Sequence, residues 1–208
     1  MDICISHIRE DGKCIQTNEE HTIGVATLAS QFASEFGMSD WGYFIGMLHD
    51  KGKERNDFQN YIRRENGIDA PTYQDKTHAW IGAKLAQMLA PQIYPMATFP
   101  ILGHHAGMCD YTHLDAIKEK NILTEVDCNV KVKEPSLAFF KQHNLFSTDK
   151  QKYIHHVERM LFSCLVDADF LDTERFMQPE KSEARFESVL LAELLPKLEA
   201  YISHFKVD

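Results

Sequence analysis

Adjacent His49 and Asp50 close the apolar run Trp41-Gly42-Tyr43-Phe44-Ile45-Gly46-Met47-Leu48 and are followed at once by Lys51-Gly52-Lys53. The run reads as a buried helix, so two ligand-type side chains stand where rigid backbone lies behind them and open space in front. The dipeptide alone has a plain alternative: a structural histidine beside a helix-end carboxylate. The rest of the chain adds His21, His78, the pair His104-His105, and the carboxylates Asp167 and Asp169, in separate segments. If these converge, the mixed imidazole and carboxylate set suits a divalent ion such as Mn, Fe, Co, Ni, Zn or Mg, whereas a thiolate-rich set indicates structural zinc. So many donors exceed the three or four that one catalytic ion takes, which points to two ions. Asp50 is the natural bridge, because one carboxylate reaches both ions while an imidazole donates through one nitrogen at a time. Two ions roughly 3.5–4 Å apart activate water and stabilise the attacking and leaving oxygens of an in-line displacement. The expected chemistry is hydrolysis of a phosphate ester.

Helices must position these residues. Val25, Leu28, Phe32 and Phe36 recur at helical spacing after a start near Thr17-Asn18-Glu19-Glu20, and His21 lies four residues before Val25 on the same stripe. Ser39-Asp40 is a plausible cap for the helix that delivers His49 and Asp50. Phe58, Tyr61 and Ile62 form the face of a helix that Gly67 ends, and a further helix from about Gln74 to Leu89 carries His78 ahead of Ile81, Leu85 and Leu89. Phe99-Pro100-Ile101-Leu102 leads into Gly103-His104-His105-Ala106-Gly107. A short helix is expected at His113 to Lys120, a small hairpin or extended loop at 121–134, and a helix after Pro135. The long stripe Ile154, Val157, Leu161, Leu165 and Ala168 reaches Asp167-Ala168-Asp169. Residues two apart on a helix do not share a face, and Asp169 continues the spacing of Leu161 and Leu165, with Asp167 as the alternative. Leu190, Leu191, Leu194, Leu195 and Leu198 read as a structural C-terminal helix at about 183–203. Helical periodicity dominates, so the expected fold class is all-α: one helical-bundle domain over residues 1–208 with its core at about 15–180.

Composition narrows the function. At 208 residues and 44% hydrophobic the chain can build one sizeable core. It has no stretch approaching a membrane span and no secretory signal pattern, so a cytoplasmic location is expected. The five cysteines are scattered without a Cys-x-x-Cys pair, which argues against a disulfide scaffold or a zinc ribbon. Gly52-Lys53 lacks the preceding glycine loop of a P-loop, and the Gly-x-Ser-x-Gly elbow is absent. A net charge of -9 counts against broad, tight duplex binding, although bound cations can invert the field of a carboxylate-lined site.

His21, the His49-Asp50-Lys51-Gly52-Lys53 core, His78, His104-His105 and Asp169 resemble, in order and rough spacing, the HD superfamily of metal-dependent phosphohydrolases. More narrowly, Gly46 to Lys53 followed by Asp57-Phe58-Gln59, then Gly103-His104-His105-Ala106-Gly107, then Leu165 to Thr173, is similar to the HD nuclease of type I CRISPR systems, which is fused to a superfamily 2 helicase or encoded alone. The resemblance implies a helical domain with a di-metal centre that degrades single-stranded DNA, sometimes RNA, after recognition by an RNA-guided surveillance complex. It implies His21, His49, Asp50 and Asp169 around one ion, Asp50, His78, His104 and His105 around the second, and Lys53 facing the scissile phosphate. The competing readings are an HD-type hydrolase of nucleotides or cyclic nucleotides, and a non-enzymatic module stabilised by metal.

Overall fold

The computed structural model describes residues 3–10, 12–118, 126–185 and 191–205. A two-stranded antiparallel hairpin, β1 (Ile5–Ile8) and β2 (Ile15–Thr17), precedes the helices. α1 (Asn18–Ser34) begins with a capping box, in which Thr17 Oγ1 accepts from Glu20 N and Glu20 Oε2 accepts from Thr17 N. α2 (Ser39–Leu48) follows, then a single 3₁₀ turn over Lys51–Glu54, then α3 (Asn56–Glu65). α4 (Ala79–Leu89) and α5 (Pro95–Gly103) carry the second set of histidines. The remaining helices are α6 (Tyr111–Lys118), α7 (Ala138–Gln142), α8 (Ile154–Met177), α9 (Pro179–Ala184) and α10 (Leu191–Ile202). The protein is mostly helical, as the periodicity predicts.

The core sits between α1, α2, α4, α5 and α8, where Val25, Phe44, Ile45, Leu48, Ile81, Ile101, Leu161 and Leu165 are fully buried. α1 packs on α2 through small residues rather than through the Leu28, Phe32 and Phe36 stripe expected from sequence. Ala26, Ala29 and Ala33 are fully buried, whereas Leu28, Phe32 and Phe36 are only partly covered. The reason is the close approach of the two backbones: a Cβ on Gly46 would lie 2.4 Å from Ala26 Cα, and one on Gly42 would lie 2.3 Å from the Ala29 carbonyl oxygen. Two glycines four apart thus form a groove that only small partners fill.

Three boundaries differ from the sequence reading. α4 starts at Ala79 rather than near Gln74, because side chains claim the backbone of the preceding segment: Asp57 accepts from Gln74 N and Asp75 N, and Asp75 accepts from Thr77 N. The small hairpin lies at the N-terminus. The described part of the 121–134 segment is strand-free loop chain, and residues 121–125 lie outside the described residues. Glu119 and Lys120 of the expected helix from His113, and Leu190 of the C-terminal stripe, also lie outside them. Leu194, Leu195 and Leu198 of α10 are exposed, so that leucine face is not packed as a structural helix among the described elements.

Candidate metal centre

Each candidate ligand stands at an element end or on the inner face of a long helix. His21 projects from the first turn of α1. His49 follows the last residue of α2, and Asp50 sits where the chain turns into the 3₁₀ segment. His78 is the residue before α4, and His104-His105 follow α5. Asp169 lies on α8, one turn after the buried Leu165. Such positions combine a rigid backbone with a side chain free to leave the helix surface.

These residues meet in two groups sharing Asp50. One ligand atom from each of His21, His49, Asp50 and Asp169 lies within 4.8 Å of the others, and the same holds for Asp50, His78, His104 and His105. The two oxygens of Asp50 divide between the groups. Oδ2 lies 3.2 Å from His21 Nε2 and 3.3 Å from His49 Nε2, whereas Oδ1 lies 3.2 Å from His78 Nε2 and 3.5 Å from His104 Nε2. Asp169 Oδ1 is 3.2 Å from His21 Nε2, and His105 Nε2 is 3.1 Å from His78 Nε2. Asp167 is exposed and belongs to neither group.

The buried donor atoms fit a divalent cation. His21 Nε2, His49 Nε2, His104 Nε2 and Asp50 Oδ1 are buried without a hydrogen-bond partner, a costly arrangement unless something occupies the point on which they converge. The far side of each ring is committed. His49 Nδ1 lies 2.7 Å from the Gly46 carbonyl oxygen and His104 Nδ1 lies 2.6 Å from that of Ile101, so each Nδ1 carries the proton and each Nε2 presents a lone pair. His21 Nδ1 is held instead by Asp172 Oδ2 at 2.9 Å, and Gln16 Nε2 donates to the same oxygen at 2.8 Å. Carboxylate–imidazole pairs of this kind orient a metal ligand and raise its basicity.

Charge balance without a cation is strained in an informative way. Burial opposes protonation of His21, yet the adjacent carboxylates of Asp169, Asp172 and Asp50 outweigh it and lift the imidazole to about 10. Burial would likewise raise Asp50 and Asp169. Asp50 is instead held well below the usual carboxylate range by His49, Lys53, His104 and His21, and Asp169 is held low by His21 and His49. Without a cation, the same neighbours favour ionised Asp50 and Asp169 and a protonated His21. Lys53 is buried, with Nζ 2.6 Å from Asp50 Oδ2 and donating to Ser6 Oγ at 3.0 Å, so its ammonium rests against the central carboxylate.

Four residues outside the expected ligand set shape the centre. Asp172 orients His21, and its spacing of three from Asp169 on α8 is the signal that could have marked it. Gln59 bonds both backbone groups of Ile5 and the Lys53 carbonyl, so it clamps β1 to the 3₁₀ turn in the manner of a neighbouring strand. Ser6 meets Lys53. His7 packs edge-on against His21 with centroids 4.7 Å apart, and burial together with Lys53 and His21 holds it near 3, hence neutral. Nothing local in the polar N-terminal stretch marks Ser6 or His7.

The sequence model of the HD domain matches residues 18–131, a span that takes in His21, His49-Asp50, His78 and His104-His105 and stops short of Asp169 and Asp172. No curated protein matches the chain. HD domains are metal-dependent phosphohydrolases that bind divalent ions. The chain belongs to the HD domain family.

Proposed function

We propose that the protein hydrolyses phosphodiester bonds of single-stranded DNA as the nuclease of a type I CRISPR system, working with a superfamily 2 helicase and an RNA-guided surveillance complex. The observation that carries the phosphodiesterase part is the division of the two Asp50 oxygens between two imidazole groups. The narrower nuclease part is supported by the motifs Asp57-Phe58-Gln59, His104-His105-Ala106-Gly107 and Leu165 to Thr173. When bound, two divalent ions supply an activated water and neutralise charge on the phosphate. The protein's own residues do the rest. His21, His49, Asp50 and Asp169 would hold one ion and Asp50, His78, His104 and His105 the other; Asp172 keeps His21 oriented toward that site, and Lys53 would add positive charge beside the phosphate.

The test is cleavage of linear and circular single-stranded DNA, duplex DNA, and a panel of nucleotides and cyclic nucleotides, each with Mg, Mn, Co and Ni. Cleavage of both single-stranded forms with little action on duplex is expected, since circles require internal cuts. Inert single-stranded DNA beside an active nucleotide substrate would replace this reading with a nucleotide phosphohydrolase. Asp50→Asn should lower the rate by about 10²–10³-fold or more, the scale of removing a central electrostatic group; an unchanged rate across every substrate would favour a metal-stabilised interaction module.

A further inference from the structure

The N-terminal hairpin contributes two consecutive side chains to the metal centre, which a regular strand cannot do because neighbours point to opposite faces. On β1, Ile5 pairs with Thr17 and His7 with Gln16, so two steps along β1 match one step along β2, and Ser6 is the extra residue of a bulge. Bulges of this kind re-aim side chains and recur beside active sites. Here Ser6 Oγ accepts from Lys53 Nζ while His7 packs edge-on against His21. The bulge is pinned from outside by Gln59, which bonds the N–H and the carbonyl of Ile5.

His7 differs from the ligand histidines in where its nitrogens go. Nε2 lies 3.4 Å from Thr173 Oγ1 on α8, one residue beyond Asp172. Nδ1 has no hydrogen-bond partner among the described residues, and the residue as a whole is only half-buried. His7 also belongs to neither ligand group. The ring is therefore held on two sides, by His21 and by Thr173, and its Nδ1 is left without a protein partner beside the ligand groups. With Nε2 accepting from the Thr173 hydroxyl, the proton resides on Nδ1. A phosphodiester reaching the metal centre brings acceptor oxygens only.

We propose that His7 is a substrate-contacting residue whose Nδ1–H donates a hydrogen bond to a non-bridging oxygen of the scissile phosphate. This rests on the phosphodiesterase reading and adds a donor from the protein opposite the cations. It also gives the bulge at Ser6 a purpose: without the extra residue, either Ser6 or His7 would face away from the centre.

The experiment compares His7→Ala, His7→Gln and His7→Asn with the parent chain, each loaded with Mn, measuring kcat and KM on single-stranded DNA and on bis(p-nitrophenyl) phosphate, and metal content by elemental analysis. The Asn amide places its N–H where Nδ1 sits, whereas Gln extends it toward Nε2. Alanine and Gln should lower kcat by about 10–100-fold with unchanged metal content, and Asn should stay within about fivefold of the parent, as expected for loss or retention of one preorganised donor. Loss of metal from His7→Ala would reduce His7 to a support for His21 and overturn the proposal, as would an Asn variant no better than Ala. Hydrolysis of the small diester but not of DNA would reject the DNA assignment, while the three variants would still decide His7 on the small substrate.

Discussion

Asp172 touches no candidate ion position, yet it sets the orientation of His21, and its own carboxyl is held low by His21, Arg175 and Gln16 against the opposing effect of burial. Asp172→Asn should therefore lower metal affinity by about 10–100-fold while leaving every ligand in place, a loss that calorimetric titration with Mn would detect. His21 also predicts a pH dependence. Its imidazole, raised from 6.5 to about 10 in the metal-free protein, contributes stability that is complete below pH 6.5 and is lost as pH rises through about 10. A cation must expel that proton, so the increase in Tm on adding metal should grow between pH 6.5 and 10. At pH 7.5, titrations in buffers of different ionisation enthalpy should reveal proton release on metal uptake. The depressed carboxyls of Asp50, Asp169 and Asp172 act in the opposite sense: their contribution is present above the usual carboxylate range and is lost on acidification.

At the scale of elements, the centre depends on how closely α1 and α2 approach, because His21 comes from the first and His49-Asp50 from the end of the second. Gly46 stands at that crossing, where a Cβ would lie 2.4 Å from Ala26 Cα and 2.8 Å from Ala26 N. Both neighbours are backbone, so relief requires moving a helix. Gly46→Ala should cost about 1–3 kcal/mol, the usual range for overpacking a tight core, read as a lower urea midpoint with unchanged slope. Lost metal affinity should accompany it, since separating α1 from α2 moves His21 away from Asp50. Gly52 serves a similar purpose: a Cβ there would lie 2.1 Å from the His78 carbonyl oxygen. The glycine in the Lys51-Gly52-Lys53 motif thus permits the His78 segment to pass directly over the turn after Asp50.

For the whole molecule, charge and site geometry work against each other in binding DNA. The net charge of -9 repels a polyanion, whereas divalent ions bound at the centre would concentrate positive charge at one place. The isolated chain should hold a single-stranded oligonucleotide no more tightly than a non-specific binder, with Kd about 10⁻⁴–10⁻⁶ M at physiological salt. Fluorescence anisotropy in the presence of metal, using an uncleavable phosphorothioate strand, would measure this. A nanomolar Kd would show that the protein carries its own nucleic-acid surface and would weaken the proposal that it works with a helicase partner. No helix among the described residues is long and apolar enough to cross a membrane.

Sequence determined the helical class from local periodicity, and the resemblance to HD phosphohydrolases implied which donors converge. Helical periodicity is set by which side chains must leave water, and donor chemistry is a property of residue type. The spacing of Leu161, Leu165 and Asp169 also separated Asp169 from Asp167, since angular position on a helix depends only on residue count. Tertiary structure alone decided how the donors divide. That Asp50 turns Oδ2 to His21 and His49 and Oδ1 to His78 and His104 depends on the relative placement of four separate segments, which no local pattern encodes. The same holds for Asp172, His7 and Gln59. Each acts through a partner between 54 and 151 positions away or across a packed interface, so its contacts could not be read from the chain even where, as for Gln59 and Asp172, it lay in a recognisable motif. The position of the hairpin was hidden for a related reason, since short strands are stabilised by what they pack against, here the Gln59 clamp and the small cluster of Ile5, Ile8, Phe58 and Ile62.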